Sequence, residues 1–463
     1  MKVPKIVTDD NTIAAISTPP GIGGIAVIRI SGKGSLKIAE CIFKGKSSPL
    51  SVETHRVLYG RIIEPQTEEE IDEVLLTVMH APKTYTGEDT VEISCHGGMV
   101  PAQRILEVCL KTGARTAERG EFTKRAFLNG RLDLTQAEAV LDIVAAKTKE
   151  GLHSALYQLD GFLSKKIKRL KDSLVSLQAE IELSLDFSDE DITFPKAKEL
   201  AKKIRYTLNI IGKLIKEGKR ASIIREGLSA TIIGKPNVGK SSLFNALLLE
   251  ERAIVTPIPG TTRDVIEGWI NVNGFPLKLY DTCGFQDSEN IVEAIGIEKT
   301  KEAVENTSFV LFVVDGSIPL ETEDKRIFNS IKENPLIIVI NKIDLPKRVQ
   351  ISDITNGVSF PSCKVSAKEL TGIEKLNKEI LKLIGASDIK IDRAVPTRTR
   401  HIVLLSKVEE SLLNALNGIE EKRTPELIAF DVKEAAGSLG EIIGEVTPKE
   451  VLDKIFEEFC IGK

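Results

Sequence analysis

The sequence predicts a multidomain chain that combines α/β and all-α parts. An N-terminal α+β domain is followed by a helical domain, and a nucleotide-binding α/β domain is inserted into that helical domain. Three observations predict this. Ser229–Glu250, SATIIGKPNVGKSSLFNALLLE, reads as a strand, a glycine-rich loop and a helix. Apolar residues at helical spacing flank it on both sides, and strand-like runs fill the chain before residue 130. The implied parts are 1–129, 130–224, 225–386 and 387–463.

Composition agrees with such a chain. Domain-size priors put about three domains in a chain of this length. Hydrophobic residues at 42% suffice for real cores, and charged residues at 28% are ordinary for a soluble protein. The net charge of −4 excludes a globally basic nucleic-acid binder, so any RNA contact must come from local patches. No apolar run approaches the ~20 residues of a membrane span, and the first residues lack the apolar core of a signal peptide. Cys41, Cys95, Cys109, Cys283, Cys363 and Cys460 form no C-x-x-C pair. Reduced thiols in a cytoplasmic protein are expected, with neither a disulfide framework nor a zinc site.

In the N-terminal part, Ile25–Ile30, Glu73–Val78 and Thr90–Ser94 read as strands, and Pro101–Thr112 as a helix. The glycines of Pro19–Gly24 precede a strand, which excludes a phosphate loop there and leaves a turn. Cys95 and His96 are neighbours on a strand and face opposite ways, so a packed Cys beside a turn His is expected. Arg29 interrupts an apolar strand, either as a surface residue of the alternation or as an anion anchor, and spacing alone does not choose. Gly120–Leu134 gathers Lys124, Arg125 and Arg131, as a solvated basic loop or an anion site.

Helical signals follow. Thr135–Glu138 reads as a capping box. Leucines and isoleucines from Leu152 to Ile181 recur every three or four residues as one sustained seam. Pro195 opens a new helix with Leu200, Ile204, Leu208, Ile211 and Ile215 on one face. The pattern returns from Ile402 to Leu416, and Thr447-Pro448 opens a last helix. Basic runs at Lys165–Lys171 and at Arg393, Arg398 and Arg400 suit solvated faces or contacts to phosphate backbones.

The central stretch carries chemistry. Gly234 to Ser241 has the spacing G-x-x-x-x-G-K-[ST]. Gly234, Asn237, Val238, Gly239 and Ser242 let backbone N–H groups close around phosphates at a helix N-terminus. Lys240 neutralises the β/γ oxygens and the Ser241 hydroxyl holds Mg²⁺. Pro259–Asp264 then supplies Thr262 as a second Mg²⁺ ligand, with Thr256 and Thr261 beside the nucleotide. Asn273-Gly274 suits the type I′ turn of a hairpin that delivers Asp281, Thr282, Cys283 and Gly284, a D-x-x-G element facing Mg²⁺ and the γ-phosphate. Asn341, Lys342 and Asp344 follow a buried strand; the Asp344 carboxylate can accept from guanine N1–H and its 2-amino group together. Ser366, Ala367 and Lys368 bring backbone N–H groups toward guanine O6. Four ordered elements after the phosphate loop define a Ras-like GTPase domain. Phe285 holds the position where many such domains place a water-orienting Gln, while Gln286, Asp287, Glu289 and Glu293 follow. Arg263 is either an activator in cis or structural.

With GKPNVGKS, GTTRD, D-x-x-G, NKID, GEFTKRAFLNGRLDL and the terminal Cys460-Ile461-Gly462-Lys463 together, the chain resembles, end to end, the MnmE (TrmE) family of tRNA modification GTPases. The resemblance implies a homodimer joined through N-terminal domains that bind 5-formyltetrahydrofolate or a related folate. It implies an FAD-dependent partner subunit, MnmG (GidA), in a heterotetramer or larger complex, and tRNA as substrate. The product would be an (carboxymethyl)aminomethyl group on C5 of the wobble uridine. It further implies K⁺ in place of an arginine finger, held by Asn237, Thr256, Ile258 and Thr261. Glu293 matches the family's water-orienting glutamate; Arg29, Glu92, Arg131 and Lys463 match its folate site; Cys460 matches its terminal cysteine, near the one-carbon chemistry or inert. Cys283 stands where the family has alanine, and Pro257 and Pro259 stiffen the K⁺ loop. Against this reading stand a GTP-dependent RNA-binding assembly switch without one-carbon chemistry, and an N-terminal domain acting as an independent one-carbon transferase.

Overall fold

The structure, a computed structural model, describes residues 11–186, 197–250, 266–281, 307–355, 357–386 and 392–463. By compactness the chain falls into two units. One is Met1–Leu141 with Leu159–Lys168 and Gly440–Lys463; the other is Asp142–Gln158 with Arg169–Leu439.

The first unit is built on a seven-stranded sheet. Its strands are β1 (Ile13–Ile16), β2 (Ile25–Ser31), β3 (Phe43–Gly45), β4 (Arg56–Ile63), β5 (Glu70–Met79), β6 (Thr90–His96) and β7 (Arg115–Thr116), in the order β3-β4-β5-β6-β2-β1-β7. Only the β1–β7 pair is parallel. Strand β5 shows the two-residue period directly: Val74, Leu76 and Val78 are buried and Leu75 is exposed. Helices α1 (Ser35–Ile42) and α2 (Met99–Lys111) cover the apolar face through Ile38, Ile42, Ile105 and Val108. Cys95 is buried, its thiol pushed up to about 11 by burial and by Asp72, and His96 turns outward to Asp72 at 2.7 Å.

The basic stretch after Gly120 is not a solvated loop. It forms α3 (Glu121–Leu128), and Arg125 is buried between Glu121 and Glu88, both at 2.9 Å. Burial alone would raise the Glu121 carboxyl; Arg115, the Glu118 N–H and Arg125 outweigh it and hold it at about 2.

Two helix boundaries differ from the sequence reading. Helix α4 (Leu134–Ala145) is capped two residues earlier than Thr135: Asp133 Oδ1 accepts from Gln136 N at 3.0 Å, and Gln136 Oε1 accepts from Asp133 N at 3.0 Å. The long leucine seam is broken. Helices α5 (Lys149–Leu159) and α6 (Phe162–Asp186) are separated at Gly161, whose φ of +77° ends the helical run. Leu163 to Ile181 are buried as expected, but Leu152 and Leu156 are exposed.

In the second unit, α7 (Ala197–Glu226) leads into a six-stranded sheet. Its elements are β8 (Leu228–Ile233), α8 (Lys240–Glu250), β9 (Ile266–Val272), β10 (Phe275–Asp281), β11 (Phe309–Asp315), α9 (Thr322–Ile331), β12 (Leu336–Asn341), α10 (Ser352–Thr355), β13 (Ser362–Lys364) and α11 (Ile373–Leu383). The order is β13-β12-β11-β8-β10-β9, all parallel except the β9–β10 hairpin. FVLFVVD and LIIVIN are buried throughout, which is how strands covered on both faces read. Asn273 (φ 47°) and Gly274 (φ 97°) make the hairpin turn.

Helix α12 (Thr399–Glu420) packs along α7, and α13 (Pro425–Ile443) follows. Arg398 is not part of a solvated basic run. It is buried against Asp142 at 2.6 Å, and Arg225 reaches the same carboxylate at 2.9 Å. The last helix, α14 (Lys449–Glu457), belongs to the first unit, where Ile455, Phe456 and Phe459 pack with Leu134 and Ala137. Among the described residues, no helix is long and apolar enough to cross a membrane.

Candidate functional site

Strand β8 stops at Ile233 and α8 starts at Lys240 because the loop between them needs backbone that only small or amide residues adopt. Asn237 has φ 64° and Gly239 φ 91°. A Cβ on Gly234 would lie 2.3 Å from the Val313 carbonyl oxygen. Lys240 Nζ donates to the carbonyls of Gly234 and Lys235, each at 2.8 Å, so the buried ammonium is folded over the loop. Val238 is buried; Ser241 and Ser242 are exposed on the first turn of α8. A buried cation, a helix N-terminus and a closed loop of backbone form a polyphosphate cradle. Lys235 occupies an unspecified position of the motif. It is buried and tied to Glu321 and Asp324, each at 2.8 Å, which anchors the loop from behind.

The base side is cross-braced. Asn341 Nδ2 donates to the Val238 carbonyl at 2.9 Å, and Asn341 Oδ1 accepts from Ala367 N at 3.0 Å. The Ala367 N–H expected at guanine O6 is therefore engaged by Asn341. Lys342 Nζ donates to the Asn237 carbonyl at 2.7 Å and pairs with Asp315 at 2.6 Å. Burial raises the Asp315 carboxyl, but Lys342 and Ser317 outweigh it and hold it below the ordinary range. Asp344 is exposed, not buried; Ser366 Oγ donates to its Oδ1 at 2.6 Å, and that bond holds its carboxyl low. Lys368 is largely exposed beside it.

A second set of residues meets in the first unit. Arg29 and Glu92 are cross-strand partners on β2 and β6, and Arg29 Nε and Nη2 each donate to Glu92 Oε1 at 2.8 Å. Arg29 Nη1 also donates to the Gly462 carbonyl at 3.3 Å, which Ser17 Oγ reaches at 3.1 Å. Arg29 is thus half-buried and engaged by Glu92 and the terminal tail. The Cys460–Lys463 tail is stitched down further by Arg119, whose Nε donates to the Phe459 carbonyl at 3.1 Å. Lys463 is half-buried; burial, then the Arg29 charge, push its ammonium below the usual lysine range. Arg29 and Arg131 flank the Tyr85 ring at 5.4 and 5.5 Å, and Arg131 Nη1 donates to the Tyr85 carbonyl at 3.0 Å. Tyr85, in a loop with no pattern of its own, carried no sequence signal. Cys460 is exposed.

Thr256, Ile258, Thr261, Thr262, Arg263, Thr282, Cys283, Gly284 and Glu293 lie outside the described residues, and Asp281 closes β10.

The family model described as "MnmE helical domain" matches residues 134–460, and that described as "GTP-binding protein TrmE N-terminus" matches residues 12–131. A tRNA modification GTPase MnmE from Natranaerobius thermophilus is 46% identical over 456 residues, covering 98% of this chain and 100% of that protein. One from Acetivibrio thermocellus is 44% identical, covering 98% and 99%. Among solved structures, the G domain of the T. maritima FeoB iron transporter covers 34% of this chain and 98% of its own, at 24% identity and a TM-score of 0.27, too loose a likeness to argue from. Near-complete coverage at such identity leaves one conclusion: this chain belongs to the MnmE family of tRNA modification GTPases and is a GTP hydrolase.

Proposed function

We propose that the chain is a K⁺-activated GTPase whose cycle drives a folate-dependent modification of tRNA. It works as a homodimer with an FAD-dependent MnmG-type subunit and uses a formyl-tetrahydrofolate-derived one-carbon unit, as the methylene on C5, to install an (carboxymethyl)aminomethyl group on the wobble uridine, the amine coming from a separate amino donor. Residues 1–129 bind folate and dimerise, 130–224 and 387–463 form the helical domain, and 225–386 form the GTPase domain.

In the GTPase domain, Lys240 and the Gly234–Gly239 backbone hold the phosphates, and Asp344 with Ser366 selects guanine. Ser241 and Thr262 hold Mg²⁺, and Asp281 and Gly284 face it and the γ-phosphate. Asn237, Thr256, Ile258 and Thr261 hold K⁺. Bound there, the two cations offset charge that develops between the phosphates during hydrolysis. Glu293 orients the attacking water.

In the first unit, Arg29, Glu92, Arg131 and Lys463 bind the folate, with Tyr85 between the two guanidinium groups. Two arginines and a lysine beside one carboxylate and an aromatic ring fit a ligand with a flat polar ring and a carboxylate tail. Cys460, exposed in the same tail, serves the one-carbon chemistry in this reading. The observation that supports the reading is the tail itself: Arg29 donates to the Gly462 carbonyl, so the terminal motif meets the proposed folate residues 433 positions away in sequence.

Calorimetric titration of 5-formyltetrahydrofolate tests it. Binding by the wild type, and its loss in Arg29→Ala with GTP hydrolysis retained, is the expected result. No binding by the wild type would favour a GTP-dependent assembly switch.

A further inference from the structure

The solvent-facing ridge of α7 is more basic than a solvated helix needs to be. Its buried side, through Ala201, Ile204, Ile211, Leu214, Gly218 and Ala221, is fixed in the second unit. The opposite side exposes Lys202, Tyr206, Asn209, Lys213, Lys216 and Arg220 in steps of three and four, a row about 27 Å long at ~1.5 Å per residue. Tyr206 is 70% exposed within it.

Two cations on the flanks of α7 are neutralised. Lys203 pairs with Glu180 at 2.6 Å and Arg205 with Glu420 at 2.8 Å. On the ridge, Lys202, Lys216 and Arg220 meet no carboxylate among the described residues. Glu217 reaches Lys213 only at 3.6 Å and buries its other oxygen, and Glu409 Oε1 lies beside Gly212. Lys213 and Lys216, and Lys216 and Arg220, are like-charged neighbours at three and four residues, which weakens a free helix. Helix α11 shows the ordinary solution, pairing Lys378 with Glu374 and Lys382 with Glu379 at 2.8 and 2.7 Å. In a chain of net charge −4, a preformed cationic ridge that repels itself is relieved by a polyanion.

We propose that this ridge docks the phosphate backbone of tRNA, with Lys202, Lys213, Lys216 and Arg220 on phosphates and Tyr206 against a sugar or base. The proposal rests on the tRNA-modification reading, but not on K⁺ or folate.

The test uses the full chain and a fluorescein-labelled tRNA transcript, titrated between about 50 and 200 mM salt. The variants are Lys202→Glu/Lys213→Glu/Arg220→Glu and the milder triple Gln form. With three contacts removed, affinity should fall at least about tenfold, and the log–log salt slope should shrink by about 2 to 3. Melting and GTP hydrolysis should be unchanged. Tyr206→Ala should weaken binding with no change in slope. Equal affinity and slope in the Glu variant, or no tRNA binding by the wild type, would overturn the proposal. Intact tRNA binding with lost binding of the FAD-dependent partner would also overturn it, and make the ridge a protein interface. Absent K⁺ stimulation or folate binding would strike the proposed function and leave these outcomes readable.

Discussion

Asn341 and Gly239 meet where the two halves of the nucleotide site join: a Cβ added to Gly239 would lie 2.3 Å from Asn341 Nδ2, the atom that donates to the Val238 carbonyl. The phosphate loop and the base-selecting loop are thus one braced unit. Gly239→Ala should break the brace and strain a φ of 91°, at about 1–3 kcal/mol for the backbone alone. We expect GTP affinity to fall by about 100-fold or more, since the clash and the strain add. Nucleotide titration against wild type measures it, and near-wild-type affinity would show that the loop relaxes.

Asp344 is the proposed base-selecting carboxylate. Ser366 Oγ keeps its carboxylate ionised and oriented. Asp344→Asn puts an amide donor where guanine presents N–H donors, so GTP binding should drop by about 100-fold or more while xanthosine triphosphate gains. Competition between the two nucleotides on the variant checks this.

Lys147 reports on the β9–β10 hairpin. Its Nζ lies 3.1 Å from the Trp269 ring centroid, and burial, then Lys278, push its ammonium down to about 8. The folded pKa is below the unfolded one, so between about 8 and the ordinary ~10.4 the unfolded chain binds more protons. The contribution of this site to stability therefore rises with pH across that window. Trp269 is the sole tryptophan, so its fluorescence should titrate near pH 8. Lys147→Met should abolish that transition.

Asp142 joins the end of α7 to the start of α12, through Arg225 on the one side and Arg398 on the other. Asp142→Asn leaves two cations around a neutral amide, a loss of about 3 kcal/mol by analogy with broken buried pairs. A melting temperature lower by several degrees is expected, read by thermal denaturation of the full chain.

Gly462 has φ 91°, and a Cβ there would lie 2.5 Å from the Ile16 carbonyl oxygen. Gly462→Val should lift the tail from Arg29 and Ser17. Folate binding should be lost while GTP hydrolysis persists; calorimetry and a phosphate-release assay separate the two.

What was legible in the sequence was local. The apolar runs at Ala230–Ile233 and Leu336–Ile340 announce buried strands, and GKPNVGKS fixes a loop geometry through its own glycines. What escaped depends on distant partners. Lys235 shows no role in the motif because Glu321 and Asp324 are 86 and 89 residues away. Arg398 looked solvated because Asp142 is 256 residues away. The break at Gly161 was hidden because the leucine spacing continues across it. Tyr85 shows no periodicity and gains meaning only between Arg29 and Arg131.

The central claim is a GTPase driven by K⁺, and the most direct measurement is GTP hydrolysis in KCl against NaCl at matched ionic strength. Marked stimulation by K⁺, lost in Asn237→Ala, is the predicted result. Equal, slow rates in both salts would contradict the account and move the search for the activating charge to Arg263 or an outside protein.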